Sequence, residues 1–598
     1  MIKNIRIMLF LGLALGLMAL VGCTEEEPEE IDLSVKSETI EQGKWLKEVN
    51  TDLARYEPGK PVQFKLSLNE EVNKGKVFIQ YKHLDKIVDE QNVKVKGENE
   101  ITWEWTPAED DFTGYMAEVF LVKSDKVVDH LNIGVDVSSD WGKFPRYGYL
   151  ADYFIKDEEQ QKSVIDNLNR FHINGLQFYD WQWYHEKPVK TENGQVVDQW
   201  KDIANRIVYK DAVENYISLA HDRNMKAMNY NLFFGASNEY EKYGIEKEWG
   251  LFKDANGNQL DVHPLPTLWA YDIQLFNPGD PNWQNAIFDS QQEVFETFDF
   301  DGWHVDQLGD RSPLWTADGT PINLAHTYQQ FLENAHEELQ VDLVMNAVSQ
   351  YGQQEIAKAP VEFLYTESWD EPMYQDLKGI IDHNWEFSDG ELNTVLAAYM
   401  NYDLSDSRGY FNAPGILLAN ATIFAAGGAH IELGENMLSK EYFPHKTLEI
   451  EDELHNQMVS YYDFMVAYEN LLRDGAVEID KEVTTDSNIS ITKDAKQGSV
   501  WNFNKQKDNK EILHFINYTD ATSMEWKDAD GTQPEPKLQE NVSITITADK
   551  EVSKVWMATP DAYSGSSIEL DYVQEGNEVT FTLPSLKYWD MVVVEYKS

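Results

Sequence analysis

The sequence predicts a multidomain α/β and β protein, a central (β/α)8 TIM barrel with a β-sandwich on either side, and three patterns predict it. From Trp141 to Asp474, apolar or aromatic strand patterns alternate with helical segments. Before that stretch, from Ile31 to Val137, short alternating runs are broken by Pro, Gly, Asn and Asp turns. After Gly475, Thr- and Val-rich alternation returns. The expected organisation is a leader at 1–22, an acidic tether at 23–30, an N-terminal sandwich at 31–138, the barrel at 139–474 and a C-terminal sandwich at 475–598.

A chain of 598 residues, 42% of them hydrophobic, can bury several large cores. Its 50 Lys and Arg against 104 Asp and Glu give a net charge of −54, with the acids spread along the whole length. Such a field repels phosphate backbones and anionic lipid, which argues against nucleic acid or an acidic polysaccharide as partner and favours a neutral substrate. Otherwise the charge reads as a solvated surface.

At the N-terminus, Lys3 and Arg6 precede an apolar run from Ile7 to Gly22, short for a spanning helix and right for a signal-peptide core. The run ends Leu20-Val-Gly-Cys23, which resembles the lipobox of bacterial lipoproteins, where the cysteine thiol is lipidated. Cys23 is the single cysteine, so no intramolecular disulfide can form. The acidic residues that follow, Thr24 to Glu30, read as a solvated tether. The expectation is an extracytoplasmic protein at the cell surface, touching a bacterial membrane only through this lipid anchor.

Within 31–138, Val62–Leu68, Lys76–Tyr81 and Ala117–Val122 alternate as strands of a small antiparallel sandwich. No convergent acids or aromatic cluster occur there, so a structural or weak carbohydrate-binding role is expected. The C-terminal counterpart carries Val542–Thr547 and Met591–Glu595. The barrel candidates are Tyr147–Leu150, Gly175–Tyr179, Lys226–Asn231, Gly302–Val305, Leu343–Asn346, Phe363–Tyr365, Val395–Tyr399 and His430–Leu433. Eight such strands place an active site at their C-terminal ends.

The second strand end reads Gln177-Phe-Tyr-Asp180-Trp181-Gln-Trp183-Tyr-His185. Aromatic faces such as Tyr179, Trp181 and Trp183 stack on the C–H faces of a pyranose, while Gln177, Asp180 and His185 bind hydroxyls. The fourth ends Asp301-Gly-Trp-His-Val-Asp306. Alternation puts Trp303 and Val305 on one face and Gly302, His304 and Asp306 on the other. Asp301 and Asp310 serve as contrasts, one at a strand entry and one in a loop. His304 has no ligand-spaced companion and reads as a core histidine. The sixth ends Phe363-Leu-Tyr-Thr-Glu367-Ser-Trp369, a setting that raises a carboxyl by desolvation. Two acids at two strand ends beside tryptophans point to glycoside hydrolysis, with Glu367 as general acid and Asp306 as nucleophile.

In order along the chain, Phe144-Pro-Arg-Tyr147, His172 to Trp181, Ala227 to Asn231, Phe276-Asn-Pro278 with Trp283, Asp301 to Asp306, Tyr365-Thr-Glu367, Ala397-Ala-Tyr399, His430-Ile-Glu432-Leu-Gly434 and Tyr462-Asp-Phe resemble glycoside hydrolase family 66. That family holds endo-dextranases and cycloisomaltooligosaccharide glucanotransferases. The resemblance covers essentially the mature chain and implies an immunoglobulin-like N-terminal domain and retaining endo-hydrolysis of α-1,6-glucosidic bonds in dextran, releasing isomaltooligosaccharides. It puts nucleophile and acid/base on Asp306 and Glu367, and substrate contacts on Asp180 and Trp181. Asn231, Trp303, Trp369 and Glu432 are expected to join them, and Asp376 in Tyr374-Gln-Asp376-Leu resembles a further subsite acid. No EF-hand-type spacing is present, Ca²⁺ is not indicated, no cofactor is expected, and a monomer is the expected state. The cyclising transferases carry a large carbohydrate-binding insertion in the barrel. The longest gap between candidate strands here, Phe233 to Phe300, reads as loop plus helix and favours the hydrolase. Cyclising transfer, and a non-catalytic glucan-binding lipoprotein, are the alternatives.

Overall fold

The computed structural model describes residues 43–597, so the expected leader, Cys23 and the acidic tether lie outside the described residues. Eight strands form one sheet: β1 (Tyr147–Leu150), β2 (Gly175–Phe178), β3 (Lys226–Leu232), β4 (Gly302–Asp306), β5 (Asp342–Val348), β6 (Leu364–Glu367), β7 (Thr394–Ala397) and β8 (Ala429–His430). Each pairs in parallel with the next in the chain. The Tyr149 N–H of β1 donates to the Leu433 carbonyl just past β8 at 3.0 Å, which brings the first and last strands together. All eight strand candidates fall in this nearly closed barrel.

A helix follows every strand: α1 (Glu158–Arg170), α2 (Lys210–His221), α3 (Pro281–Thr297), α4 (Tyr328–Leu339), α5 (Gln353–Ile356), α6 (Tyr374–Phe387), α7 (Ala413–Ala426) and α8 (Asp452–Ala467). The local signals are ordinary. Asp157 caps α1 ahead of Glu158 and Glu159, and Asp280 caps α3 with Pro281 behind it. The exception is α7, apolar almost all round and buried along nearly its whole length, because the barrel covers one side and the C-terminal domain the other.

The Phe233–Phe300 gap holds more than loop plus helix. Gly235–Ala236, Ile273–Leu275 and Val262–His263 form a three-stranded antiparallel sheet ahead of α3. Strands of two or three residues are too short to show a period-2 pattern in sequence.

The N-terminal region is a three-stranded sheet against a four-stranded one, with Phe64 stacked on Trp103 and Tyr81 on Trp105 between them. Its outer face sits on α8. A Cβ at Gly114 would stand 2.1 Å from the Val466 carbonyl, so only glycine lets sheet and helix backbones approach this closely. The C-terminal region pairs a seven-stranded with a four-stranded sheet around Val500, Phe515, Ile544 and Val592.

Candidate active site

Parallel strands in chain order place β5 between β4 and β6. An inward side chain near the C-terminal end of β5 can therefore reach the last residues of both neighbours. Asn346 does so: its Nδ2 donates to Asp306 Oδ1 at 2.9 Å and to Glu367 Oε2 at 3.0 Å. Two such bonds to one nitrogen hold one oxygen of each carboxyl within about 6 Å of the other, so the two acids share a single donor across β5. On the outer flanks, the Tyr230 hydroxyl of β3 donates to Asp306 Oδ2 at 2.7 Å, and the Tyr399 hydroxyl just past β7 donates to Glu367 Oε1 at 2.8 Å. Five neighbouring strand ends thus carry one arc, Tyr230, Asp306, Asn346, Glu367 and Tyr399, in which every bond to a carboxylate comes from a neutral donor.

That choice of donors sets the electrostatics. Burial, and then the adjacent charge of Asp306, push the Glu367 carboxyl up to about 7. Burial also raises Asp306, with Asn346, Tyr230 and the Gln307 backbone working the other way. Asp180 is pushed up to about 7, first by burial and then by Asp202. It sits at the left-handed φ of +46° at the end of β2. Asp is one of the few L-residues that adopt that region readily, as single residues in turns. Burial lowers His185 and His304 to about 3, so both rings are neutral, and the Tyr147 hydroxyl lies 3.2 Å from His304 Nδ1.

These groups line a cavity of about 520 Å³ together with Gln177, Tyr179 and Trp369. Its walls are aromatic. Tyr179 stacks on Phe443 at 4.4 Å, Trp369 leans on Tyr399 at 5.2 Å, and Trp269 meets Tyr442 at 5.3 Å. The arrangement offers a carboxyl whose pKa is raised to about 7, a second carboxyl close by, and apolar faces with polar edges, a combination suited to acid-assisted substitution at a sugar carbon.

Of the residues singled out in the sequence, Asp306, Glu367, Gln177, Tyr179, Asp180, His185 and Trp369 meet in this cavity. Six expected sugar contacts lie elsewhere. Trp181 and Trp303 are fully buried in the layer between strands and helices, Trp181 against Phe298 and Trp303 against Phe331. Asn231 is part of the same layer, accepting from the Trp303 indole at 2.7 Å and donating to the His185 carbonyl at 2.8 Å. For Trp303 and Asn231 the reason is parity: Asn231 pairs with Val305 and Tyr230 with His304, so the odd positions of β3 and β4 face the helices, whereas Trp181 lies past the end of β2, on which the odd Gln177 lines the cavity. Glu432 is fully buried toward α7 and α8, accepting from Asn420 at 2.9 Å and Tyr462 at 3.0 Å. Asp376 caps α6 by accepting the Met373 N–H at 2.8 Å and stands outside the cavity. Trp183 is likewise outside, stacked on Tyr184. Missing from the sequence reading were Asn346, Tyr230 and Tyr399, although each lies in a strand segment read correctly. The available signal was a polar or hydroxyl-bearing residue, in inward register, at the end of a barrel strand.

A model of glycosyl hydrolase family 66 matches residues 51–593. A cycloisomaltooligosaccharide glucanotransferase of Niallia circulans is 27% identical over 751 residues, covering 99% of this chain and 75% of its own length. A dextranase of Streptococcus salivarius is 24% identical over 565 residues, covering 81% of this chain and 67% of its own. The crystal structure of a Paenibacillus cycloisomaltooligosaccharide glucanotransferase complexed with cycloisomaltoheptaose superimposes with a TM-score of 0.86 at 27% identity, over 92% of this chain and 99% of that one.

Proposed function

The chain belongs to glycosyl hydrolase family 66 and is a glycoside hydrolase-type enzyme, and from that premise we propose that it cleaves internal α-1,6-glucosidic bonds of dextran with retention. The observation that carries this reading is the Asn346 bridge, which keeps Asp306 and Glu367 close while their surroundings differ. Retention needs carboxyl groups about 5–5.5 Å apart, one to attack and one to supply a proton. Glu367, neutral at moderately acidic pH, protonates the glycosidic oxygen as the C1–O bond breaks. Asp306 attacks C1 and forms a glucosyl ester with inverted configuration. Having given its proton to the leaving oxygen, Glu367 is a carboxylate, and esterification removes the Asp306 charge that would oppose it, so it stays ionised until it takes a proton from water. The water oxygen attacks C1, Asp306 departs, and the α-configuration returns.

The test is incubation with dextran, starch and pullulan, with products followed by mass spectrometry and the new anomer by proton NMR. Isomaltooligosaccharides from dextran alone, as α-anomers, are expected, and Asp306→Asn should release none. The similarity to cyclising transferases favours one other reading, transfer within the chain to give cyclic oligosaccharides. Against it, the alignment to the Niallia transferase spans 751 residues although this chain has 598, so that relative carries stretches with no counterpart here. Predominantly cyclic products would reverse this preference. The lipid anchor at Cys23 belongs to the same reading, and labelling of cells with a palmitate analogue checks it: the label should follow the protein and vanish in Cys23→Ala.

A further inference from the structure

The connection between the C-terminal strands Lys510–Asn517 and Gln539–Thr547 leaves its own sandwich and lies across the catalytic end of the barrel. It is pinned there by backbone and side chain alike. Tyr374 N–H donates to the Met524 carbonyl at 3.0 Å, Asn401 N–H to Lys527 at 2.9 Å and Leu404 N–H to Ala529 at 2.8 Å. The Trp526 indole is buried and donates to the Glu371 carbonyl at 2.6 Å. Asp528 accepts from Asn412 at 2.7 Å. The loops so held are those after β6 and β7, which carry Trp369 and Tyr399 into the cavity.

This docking sets the Lys527 ammonium among three aromatic rings, 4.8 Å from the centroid of Trp369 and 5.4 Å from those of Tyr402 and Trp526. No carboxylate of the described residues stands within ion-pair distance of it. Burial lowers it from the usual lysine range while the charges of Glu441 and Asp403 act in the opposite sense. A half-buried ammonium with no bonded acceptor leaves its N–H groups to bind something else. Beside it, Glu441 lines the cavity and accepts from the Tyr402 hydroxyl at 2.7 Å, which leaves its other oxygen free of that bond.

We propose that Trp369, Tyr402, Glu441 and Lys527 form an outer glucose subsite at the seam between barrel and C-terminal domain, with Lys527 donating to a hydroxyl of the bound sugar. Aromatic faces there meet pyranose C–H groups, and the ammonium and carboxylate meet hydroxyls as donor and acceptor. The C-terminal domain thereby takes part in recognising substrate length. This rests on the α-1,6-glucan reading above.

Binding is measured by calorimetry on the full chain carrying Glu367→Gln, which stops turnover, with isomaltoheptaose and isomaltotriose as probes. Adding Lys527→Met should weaken isomaltoheptaose about ten- to a hundredfold, the scale of one charge-assisted hydrogen bond, and move isomaltotriose less than twofold. Lys527→Arg, which keeps the charge and donors, should recover most of the loss. Equal weakening of both sugars in Lys527→Met would mean that Lys527 merely props Trp369 and would overturn the subsite. So would unchanged isomaltoheptaose affinity in a variant that still binds isomaltotriose. If Glu367→Gln alone binds neither sugar, the α-1,6-glucan reading falls, and the ligand of this subsite with it.

Discussion

The two ends of β4 carry the same side chain in opposite company. Asp301, at the strand entry, has His221 Nε2 at 2.9 Å, Lys226 Nζ at 3.2 Å and the Ala227 N–H at 2.7 Å. Burial works to raise its carboxyl, but His221, Lys226 and that N–H outweigh it and hold the group below the usual range. Asp306, at the exit, has only neutral donors, and its carboxyl moves up. A carboxylate matched to cations is fixed as an anion and ties elements together. One matched to amide and phenol groups keeps a negative charge that a reaction can consume. The barrel's entry end is thus built for stability and its exit end for chemistry, within five residues of one strand.

The sharpest way to break this comparison is to make the same substitution at both ends. On the function proposed above, Asp306→Asn should lower kcat on dextran by about 10⁴-fold or more in a protein that folds normally, as loss of the proposed nucleophile would. Asp301→Asn should keep kcat within a few-fold and instead cost about 1–3 kcal/mol of stability, because it leaves Lys226 with Asp342 alone and His221 with only the exposed Asp299. Steady-state kinetics beside urea unfolding checks both. A folded Asp301→Asn as inactive as Asp306→Asn would erase the distinction.

A smaller effect is expected at Asn346. Asn346→Ala removes the bridge without removing either acid, and should lower kcat/KM by about 10²–10³-fold. Because Asn346 stabilises both ionised carboxylates, its loss raises both pKa values. The acid limb, set by ionisation of Asp306, and the basic limb, set by deprotonation of Glu367, should therefore move together to higher pH. A pH profile of kcat/KM reads this directly, and limbs that stay in place would mean that Asn346 is only packing.

Of this arc the sequence shows the two acids and misses the three neutral donors, and for the misplaced contacts on β3 and β4 parity explains the error. The alternation of Trp303 and Val305 against His304 and Asp306 was read correctly, and it already placed Trp303 on the face away from the acids. The expectation that Trp303 meets sugar came from its presence in a shared motif, which records residues kept for packing as readily as those kept for binding. Asn231 was chosen where its neighbour Tyr230 points inward, a slip of one residue that reverses the face. Glu432 lies beyond β8, where strand alternation gives no guide. Asn346 was hidden for a different reason: one amide at the end of Leu343-Val-Met-Asn346 gains meaning only when the barrel order places acids on both sides of it. The docking of 518–538 on the barrel was beyond reach, since it depends on contacts between regions more than 100 residues apart.

The mildest test compares the two ends by stability alone. Glu367 has a folded-state pKa raised to about 7, above the value of about 4.3 expected in an unfolded chain. Its favourable contribution is therefore complete below about pH 4 and is lost as pH rises toward and through 7, where the fold must hold a buried anion. Asp301, with a lowered folded-state pKa, behaves in the opposite sense: its contribution is present above the unfolded value near 3.9 and is lost on acidification. Glu367→Gln keeps the shape and the Tyr399 contact but abolishes the titration. Its stability relative to the natural chain should rise by about 1–3 kcal/mol between pH 5 and pH 8. Over the same interval Asp301→Asn should show a deficit that is largest at pH 5 and shrinks toward pH 8, because Asp301 stays ionised while His221, whose protonated form it favours, loses its charge. Urea unfolding at the two pH values measures both differences. If the Glu367→Gln difference stays constant, Glu367 is not held protonated at pH 5 by its surroundings, and the exit end loses the property that sets it apart.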